Sequence, residues 1–380
     1  MLFKTGKKTG KGASLAEYAL LAGLVSVVSI GSTTYLGTQV KEGFSRTEAM
    51  LASTLPSRSG EEGGAGLEEG ETTPAAPAPC FDPANVGTIG AAEWSECAGM
   101  LIVDIDMLEA AASAKAGYGG DESFDIKPTD PYAPEGLTET YTFVQDGRDI
   151  FTGQIEKLHN TFRETTFNGD IGYWNTSRVT SFNSTFAFNS AFNQRLDWDF
   201  SSATAMIAMF TNAPAYDQPV AHWDVSNVTN MGGLFYGASS FDQPVSTWDV
   251  SNVTHMGSLF QHAVSFNQPL ENFVGPQVVD IGSILSNADG FTYEDDLATW
   301  DVSGVTQFSW ALALTDMNPD ITGWDTSSAE TMQGMFQDNT GFNRNLSGWC
   351  VEGISAQPAD FDDGATAWSE ARPNWGAACE

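Results

Sequence analysis

Tryptophan recurs at Trp174, Trp198, Trp223, Trp248, Trp300, Trp324 and Trp349, in steps of 24 or 25 residues except where Phe273 stands in for it and the following step lengthens to 27. Other columns keep the same phase. Eight residues after the markers from Trp174 to Trp324 stand Phe182, Met206, Met231, Met256, Ile281, Phe308 and Met332, and twelve after them stand Phe186, Phe210, Phe235, Phe260, Leu285, Leu312 and Phe336. A second aromatic column follows at Phe192, Tyr216, Phe241, Phe266, Phe291 and Phe342, degenerating to Met317. A unit of about 25 residues is too short to bury its own apolar face. A fixed period therefore predicts units that bury their faces against their neighbours, with the Trp and Phe columns as the shared core.

Within the clearest unit, Val228-Thr229-Asn230-Met231 alternates and is β-prone, Gly232 to Ala238 has the composition of a short helical turn, and Phe241 onward, with Pro244, reads as a loop. One strand and one short helix per unit is the economy of a leucine-rich repeat. The expected fold class is an α/β solenoid, a leucine-rich-repeat-like stack of ~25-residue units over 151–349. The Trp-Asp pair does not indicate a WD40 propeller, whose period is about 40–45 residues.

The string Trp223-Asp-Val-Ser-Asn-Val-Thr-Asn-Met, continued by Leu234-Phe235, Ala238 and Phe241-Asp-Gln-Pro, resembles the BspA-like leucine-rich-repeat surface proteins, a repeat also found in mycoplasma surface lipoproteins. The ending Trp349-Cys350, Pro358, Phe361, Trp375-Gly376 and Cys379 looks like that family's C-terminal cap, here 350–380. The resemblance implies a surface protein associated with adhesion. No lipobox Cys follows the apolar N-terminal segment.

That segment is informative in its own right. Lys4, Lys7, Lys8 and Lys11 precede a stretch from Ala19 to Val40 without any charged residue. As a helix it would be ~33 Å long, enough to span a bilayer, with the lysines on the cytoplasmic side. Glu17 at its start is costly there and calls for a reason. The sequence Gly12-Ala13-Ser14-Leu15-Ala16-Glu17-Tyr18 resembles the processing site of Flp-type (type IVb) pilins. The resemblance implies a leader over 1–12 removed by a prepilin peptidase after Gly12, and a pilin-like transmembrane helix over 13–55, with an uncleaved signal anchor and a conventional secretory signal peptide as the alternatives. It implies the pilus assembly machinery and the inner membrane as partners. A carboxylate at Glu17 can pair with the freed amine of Ala13 on a neighbouring subunit. Flp pilins end shortly after this helix, whereas this chain continues for more than 300 residues, so a minor, tip or surface-retained subunit is as consistent with the sequence as a major one.

Residues 56–79, rich in Gly, Pro, Glu and Ala, read as a disordered linker. Residues 80–150 read as an N-terminal cap region covering the apolar end of the array. There Met100 to Ala112 begins strand-like and ends helical, and Tyr141 to Phe151 reads as a hairpin turning at Asp146-Gly147. The four cysteines, Cys80, Cys97, Cys350 and Cys379, suit two disulfides in an oxidising compartment. Three connectivities are open to them. The local pairs, Cys80 with Cys97 and Cys350 with Cys379, are favoured because each bounds one short segment.

A formal net charge of −33 repels nucleic acid and anionic headgroups, so no nucleic-acid partner is expected. No catalytic residue, cofactor or metal site is expected either: four His stand without an HExxH motif, and no GxSxG or complete calcium loop occurs, although Asp104 and Asp106 carry part of one. The pairs Asn193-Gln194, Asp217-Gln218, Asp242-Gln243 and Asn267-Gln268 read as side chains satisfying backbone groups, with a ligand-binding ladder as the alternative. Asp224 with Ser226 and Asp249 with Ser251 read as turn-forming bonds, with cation binding as the alternative. The Asn-Val-Thr triplets at 227 and 252 are formal glycosylation sites that recur because the repeat recurs.

The expectation is a single-pass membrane protein exported to the cell surface or pilus, its body extracellular or periplasmic. It would serve as an adhesin or interaction protein for an unknown extracellular protein or glycan ligand. A filament or surface-layer subunit without a specific ligand is the alternative, and a glycan-active enzyme a third.

Overall fold

Rung-to-rung hydrogen bonds, with few elements of regular secondary structure, organise the chain. The computed structural model describes residues 79–113, 124–131, 133–144 and 149–379. The expected leader, pilin-like helix and linker up to residue 78, and the turn at Asp146-Gly147, lie outside the described residues. Among the described residues, no helix is long and apolar enough to cross a membrane.

From Lys157 onward a chain of single parallel bridges links equivalent residues of successive units: Lys157, Ser181, Ala205, Asn230, His255, Asp280, Gln307 and Thr331. Beyond each bridge, four alternate backbone N–H groups donate to the next unit. Those of Met231, Gly233, Phe235 and Gly237 reach the carbonyls of His255, Gly257, Leu259 and Gln261 at 2.8–3.1 Å. The intervening N–H groups close overlapping turns on their own unit, Leu234 onto Met231, Tyr236 onto Gly233 and Ala238 onto Phe235. This corrects the expected helical turn over Gly232 to Ala238. An α-helix sends every N–H back four residues along its own chain, whereas here half of them leave for the neighbouring unit.

The geometry that permits this is a pair of left-handed residues four apart. Ser184 and Phe188, Ala208 and Asn212, Gly233 and Gly237, Ser258 and His262, Ser283 and Asn287, Trp310 and Leu314, and Gly334 and Asp338 all have φ between 51° and 65°. Gly237 is doubly constrained, because a Cβ there would also collide with Asn212. Since the four donors of every unit point the same way, their dipoles add toward the C-terminal end instead of alternating as in a sheet.

Inside this frame lie the aromatic columns. Phe186, Phe210, Phe235 and Phe260 follow one another at centroid distances of 5.3, 5.8 and 6.1 Å with nearly parallel planes. Phe192, Tyr216, Phe241, Phe266 and Phe291 form a second file at 6.0–6.4 Å. The files touch within each unit, as in Phe235 on Phe241 at 3.8 Å. The tryptophans make a third file. Trp174 lies on Trp198 at 5.9 Å, Trp223 on Trp248 at 6.1 Å and Trp324 on Trp349 at 6.0 Å. Between Trp198 and Trp223 the stack is interrupted by Phe200, whose ring sits 6.2 Å from the first and 4.5 Å from the second. All are buried. A buried indole needs an acceptor for its N–H. Trp198 finds the Ile171 carbonyl at 2.9 Å, and the later members of the file each find a carbonyl of the preceding unit at 2.8–3.3 Å.

The long unit after Phe273 accommodates its two extra residues in a 3-10 helix, Glu294–Thr299. Asp296 and Thr299 of that helix take the backbone N–H groups of Leu270 and Asn272, at 2.8 and 2.7 Å.

The ends differ from the middle. At the N-terminal side, strand Leu101–Ile102 pairs in parallel with Ile150–Phe151, and Asp125–Ile126 pairs antiparallel with Tyr141–Thr142. The expected hairpin is thereby corrected. Among the described residues its two arms meet each other only in a parallel bridge between Thr142 and Asp149, because each arm finds its backbone hydrogen-bond partners on a different strand. The α-helix Ile105–Ser113 is capped by Asp104, whose carboxylate accepts from the Met107 N–H at 3.0 Å. Phe143 and Phe124 pack on Phe162 at 6.1 and 5.9 Å, covering the first ring of the array. At the other end Trp368 meets Phe336 and Phe342 edge-on, at 5.0 and 4.7 Å, which ends the face-to-face files. Disulfides join Cys80 to Cys97 and Cys350 to Cys379, with Cα atoms 5.9 and 5.3 Å apart.

Candidate functional surface

Before any surface is read as a site, the polar side chains that serve the frame must be set aside. The Asx residues of the loop column form a ladder. The Asn193 amide oxygen accepts the backbone N–H of Asp217 at 3.0 Å and the side-chain amide of Gln218 at 3.0 Å. Asp217 does the same for Asp242 and Gln243, at 3.0 and 2.7 Å, and Asp242 for Asn267 and Gln268, at 2.9 and 2.8 Å. Each pair thus clamps one oxygen of the preceding unit and satisfies a backbone donor that would otherwise be unpaired. In the long unit the Glu294 carboxylate fills this role for the Asn318 N–H.

The Asp-x-Ser motifs are turns. Ser226 donates both its N–H and its hydroxyl to Asp224, at 3.1 and 2.6 Å, and Asp301 receives the same two bonds from Ser303. The hydroxyl bonds from Ser226, Ser251, Thr322 and Ser327, reinforced by the N–H of the same residues, hold the carboxyls of Asp224, Asp249, Asp320 and Asp325 below the usual range. The triplet asparagines are likewise engaged: Asn227 and Asn252 donate their side-chain amides to the carbonyls of Ser201 and Ser226, at 2.8 and 2.7 Å. Asp104 is occupied as a helix cap.

Along the bridge column the side chains of His255 and Asp280 are neighbours. Burial pushes the Asp280 carboxyl up, while the Gly282 N–H and His255 pull it the other way. At the start of the array, the His159 imidazole is held low by burial and by Lys157, and its Nε2 lies 2.7 Å from the Ser181 hydroxyl.

What remains free is the outward edge made by the left-handed positions. Between Phe188 and Asp338 its second position carries Phe, Asn, Gly, His, Asn, Leu and Asp in successive units. Phe188, Trp310 and Leu314 are 43, 38 and 44% exposed. A bulky side chain at positive φ costs about 1–2 kcal/mol and gains no burial here. These residues were not singled out by period or motif. The signal that could have marked them is a pair of columns four residues apart in which Gly, Ser or Asn recurs and a large apolar residue stands in a few units. The Arg163 guanidinium lies over the Phe188 ring at 5.2 Å, and Tyr236 meets His262 edge-on at 5.5 Å. The Trp310 indole lies across Gly334, where a Cβ would collide with it.

Two open cavities flank this frame. One, of about 300 Å³, is lined by Asn287, Leu314 and the carboxylates of Asp289, Asp316 and Asp338. The other, of about 380 Å³, is lined by Asp170, Tyr173, Gln194, Arg195 and Asp197. In the second, the guanidinium and carboxylate of Arg195 and Asp197 already bind one another at 2.6 Å. Among the described residues, no cluster of three or more His, Cys, Asp or Glu is placed to hold a metal ion.

A family model described as Mycoplasma protein of unknown function, DUF285, matches the chain three times, over residues 137–228, 196–294 and 291–376. No curated protein and no solved structure matches it.

Proposed function

The chain belongs to that family, and from this premise we propose that it is a cell-surface or pilus-associated adhesin or interaction protein. Residues 151–349 act as a solenoid of ~25-residue units in which overlapping turns replace the helix of a leucine-rich repeat. The regions 80–150 and 350–380 cap it. The anchor is the pilin-like helix 13–55, inserted in the inner membrane after a prepilin peptidase cuts behind Gly12. The pilus assembly machinery engages the mature end through Glu17 and Tyr18. The linker 56–79 separates the body from the envelope, and that body lies outside the cytoplasmic membrane. Its ligand is an extracellular protein or glycan, and no catalytic step is assigned to it.

One observation supports this reading best. The backbone repeats in every unit with the same pair of left-handed residues, while the side chains mounted on those residues change from unit to unit. A constant frame with a variable outer edge suits recognition, as in other repeat arrays.

Immunogold labelling of intact cells tests the location, and Gly12→Ala should block maturation. Deleting one whole unit, residues 224–248, should leave a folded protein that captures its ligand more weakly. Unchanged adhesion of cells carrying that deletion would reduce the array to a spacer, which is the filament-subunit reading.

A further inference from the structure

We infer that the edge of the array around Trp310 and Leu314 is a docking site for a lysine- or arginine-rich segment of a partner protein. This rests on the reading of the array as an interaction surface and specifies the chemistry of one part of it.

Trp310 and Leu314 are the left-handed pair of a single unit, and both are exposed although their backbone favours Gly or Asn. Neither position is forced by the fold, since Gly233 and Gly237 hold the same places earlier in the array and Gly334 holds the first of them one unit later. The indole packs against Gly334, where any Cβ would collide with it, and the side chain is 38% exposed. Leu314 forms a wall of the 300 Å³ cavity whose polar lining includes three exposed carboxylates, Asp289, Asp316 and Asp338. None of the three is in an ion pair among the described residues. The chain has no Lys or Arg between Arg195 and Arg344, and the basic groups nearest the three, Arg344 in sequence and His262 beside Asp289, form no ion pair with them among the described residues.

An aliphatic wall among exposed carboxylates without an ion pair, with an exposed indole four residues before that wall on the same unit, fits a side chain with an apolar stem and a cationic head. Lysine and arginine have that form. The protein supplies its own precedent on the same edge: at Phe188, the other large exposed ring in a left-handed position, an arginine of the preceding unit, Arg163, covers the ring. Among the described residues no cation is found over the Trp310 ring, and the partner segment would supply it.

The test uses the full chain in detergent micelles and a fluorescent oligolysine peptide as probe, at about 0.15 M salt so that long-range attraction is screened. Two variants address the site. Trp310→Gly removes the ring and suits the backbone there, so it keeps the fold. Asp289→Asn/Asp316→Asn/Asp338→Asn removes the three charges. A charge-matched control, Asp224→Asn/Asp249→Asn/Asp301→Asn, removes three exposed carboxylates from the turn column, where Asn175 already serves. The expected result is that either site variant weakens oligolysine binding by about tenfold or more, while the control leaves it unchanged.

Equal losses in both triple variants would mean that the peptide reads only the overall charge, and the site would be refuted. Loss of binding to a neutral polysaccharide such as dextran in Trp310→Gly, with oligolysine unaffected, would make the indole a sugar platform and also refute it. Absence of oligolysine binding to the unaltered chain would end the proposal directly. If the expected pattern holds but cells lacking the protein adhere normally, the site stands and the adhesion reading falls.

Discussion

The indole N–H of Trp248 donates to the carbonyl of Val220 at 2.9 Å, and the same oxygen receives the backbone N–H of Trp223 at 3.0 Å. One acceptor thus ties the turn of its own unit to the core of the next. Trp248→Phe keeps the backbone bond of Trp223, loses the indole bond and leaves a smaller ring. It should cost about 1–3 kcal/mol. Phe235→Ala, which opens a gap between Phe210 and Phe260, should cost about 3–5 kcal/mol. Denaturant unfolding of the full chain measures both. A neutral Phe235→Ala would show that the ring file is not a core.

Tyr216 occupies the file otherwise held by Phe192, Phe241 and Phe266, and its hydroxyl is buried without a hydrogen-bond partner among the described residues. Burial, with Asp217 nearby, pushes its ionisation well above the usual range, so the hydroxyl stays neutral. Tyr216→Phe removes an unsatisfied polar group while keeping the ring, and should stabilise the array by about 1–2 kcal/mol. A lower thermal midpoint for this variant would reveal a partner for the hydroxyl.

Asp280 offers a pH-dependent test. Its folded pKa is raised above the unfolded value by burial, so the penalty is absent below the unfolded pKa, grows as pH rises, and is complete above the folded pKa. Asn230 holds the equivalent position and makes the same bond, its side chain accepting the Gly232 N–H at 3.0 Å as Asp280 accepts that of Gly282 at 2.8 Å. Asp280→Asn should therefore raise the melting temperature at neutral pH, with the gain fading in acid. A gain that grew on acidification would contradict the assigned direction.

The Cys350–Cys379 bond closes a segment with a sequence separation of 29 residues. In the chain-entropy model it stabilises the C-terminal end by about 3–4 kcal/mol. Replacing both residues with Ser should expose amides of 351–379 to hydrogen exchange and leave the middle units protected, because each unit contacts only its neighbours. Non-reducing peptide mapping checks the linkage itself; a peptide joining Cys80 to Cys379 would overturn it.

Which residues share a phase was legible in the sequence alone. A recurrence of about 25 residues puts Trp174 with Trp198, Trp223 with Trp248 and Phe235 with Phe260 whatever the local conformation, because the columns depend only on spacing. The recurrence of Asn-Gln and Asp-Gln pairs likewise marked a structural duty, since a pair repeated at the period in four successive units belongs to the frame. Only the tertiary structure decided the rest. The same spacing places Trp198 and Trp223 in one column, yet Phe200 comes between their rings, and no periodicity carries that detail. The segment Gly232 to Ala238 has a composition open to a helical turn, and the choice against it comes from neighbours: its alternate N–H groups find carbonyls on the next unit, and left-handed Gly233 and Gly237 turn them that way. Likewise, nothing in the string Ser309-Trp310-Ala311 distinguishes Trp310 from the seven tryptophans of the periodic column. Its exposure follows from lying ten residues after Trp300, where φ is positive and the side chain points out of the array. Spacing assigns a residue to a column, and the direction in which that column faces is set by backbone dihedrals and by bonds to other units, which exist only once the units are assembled.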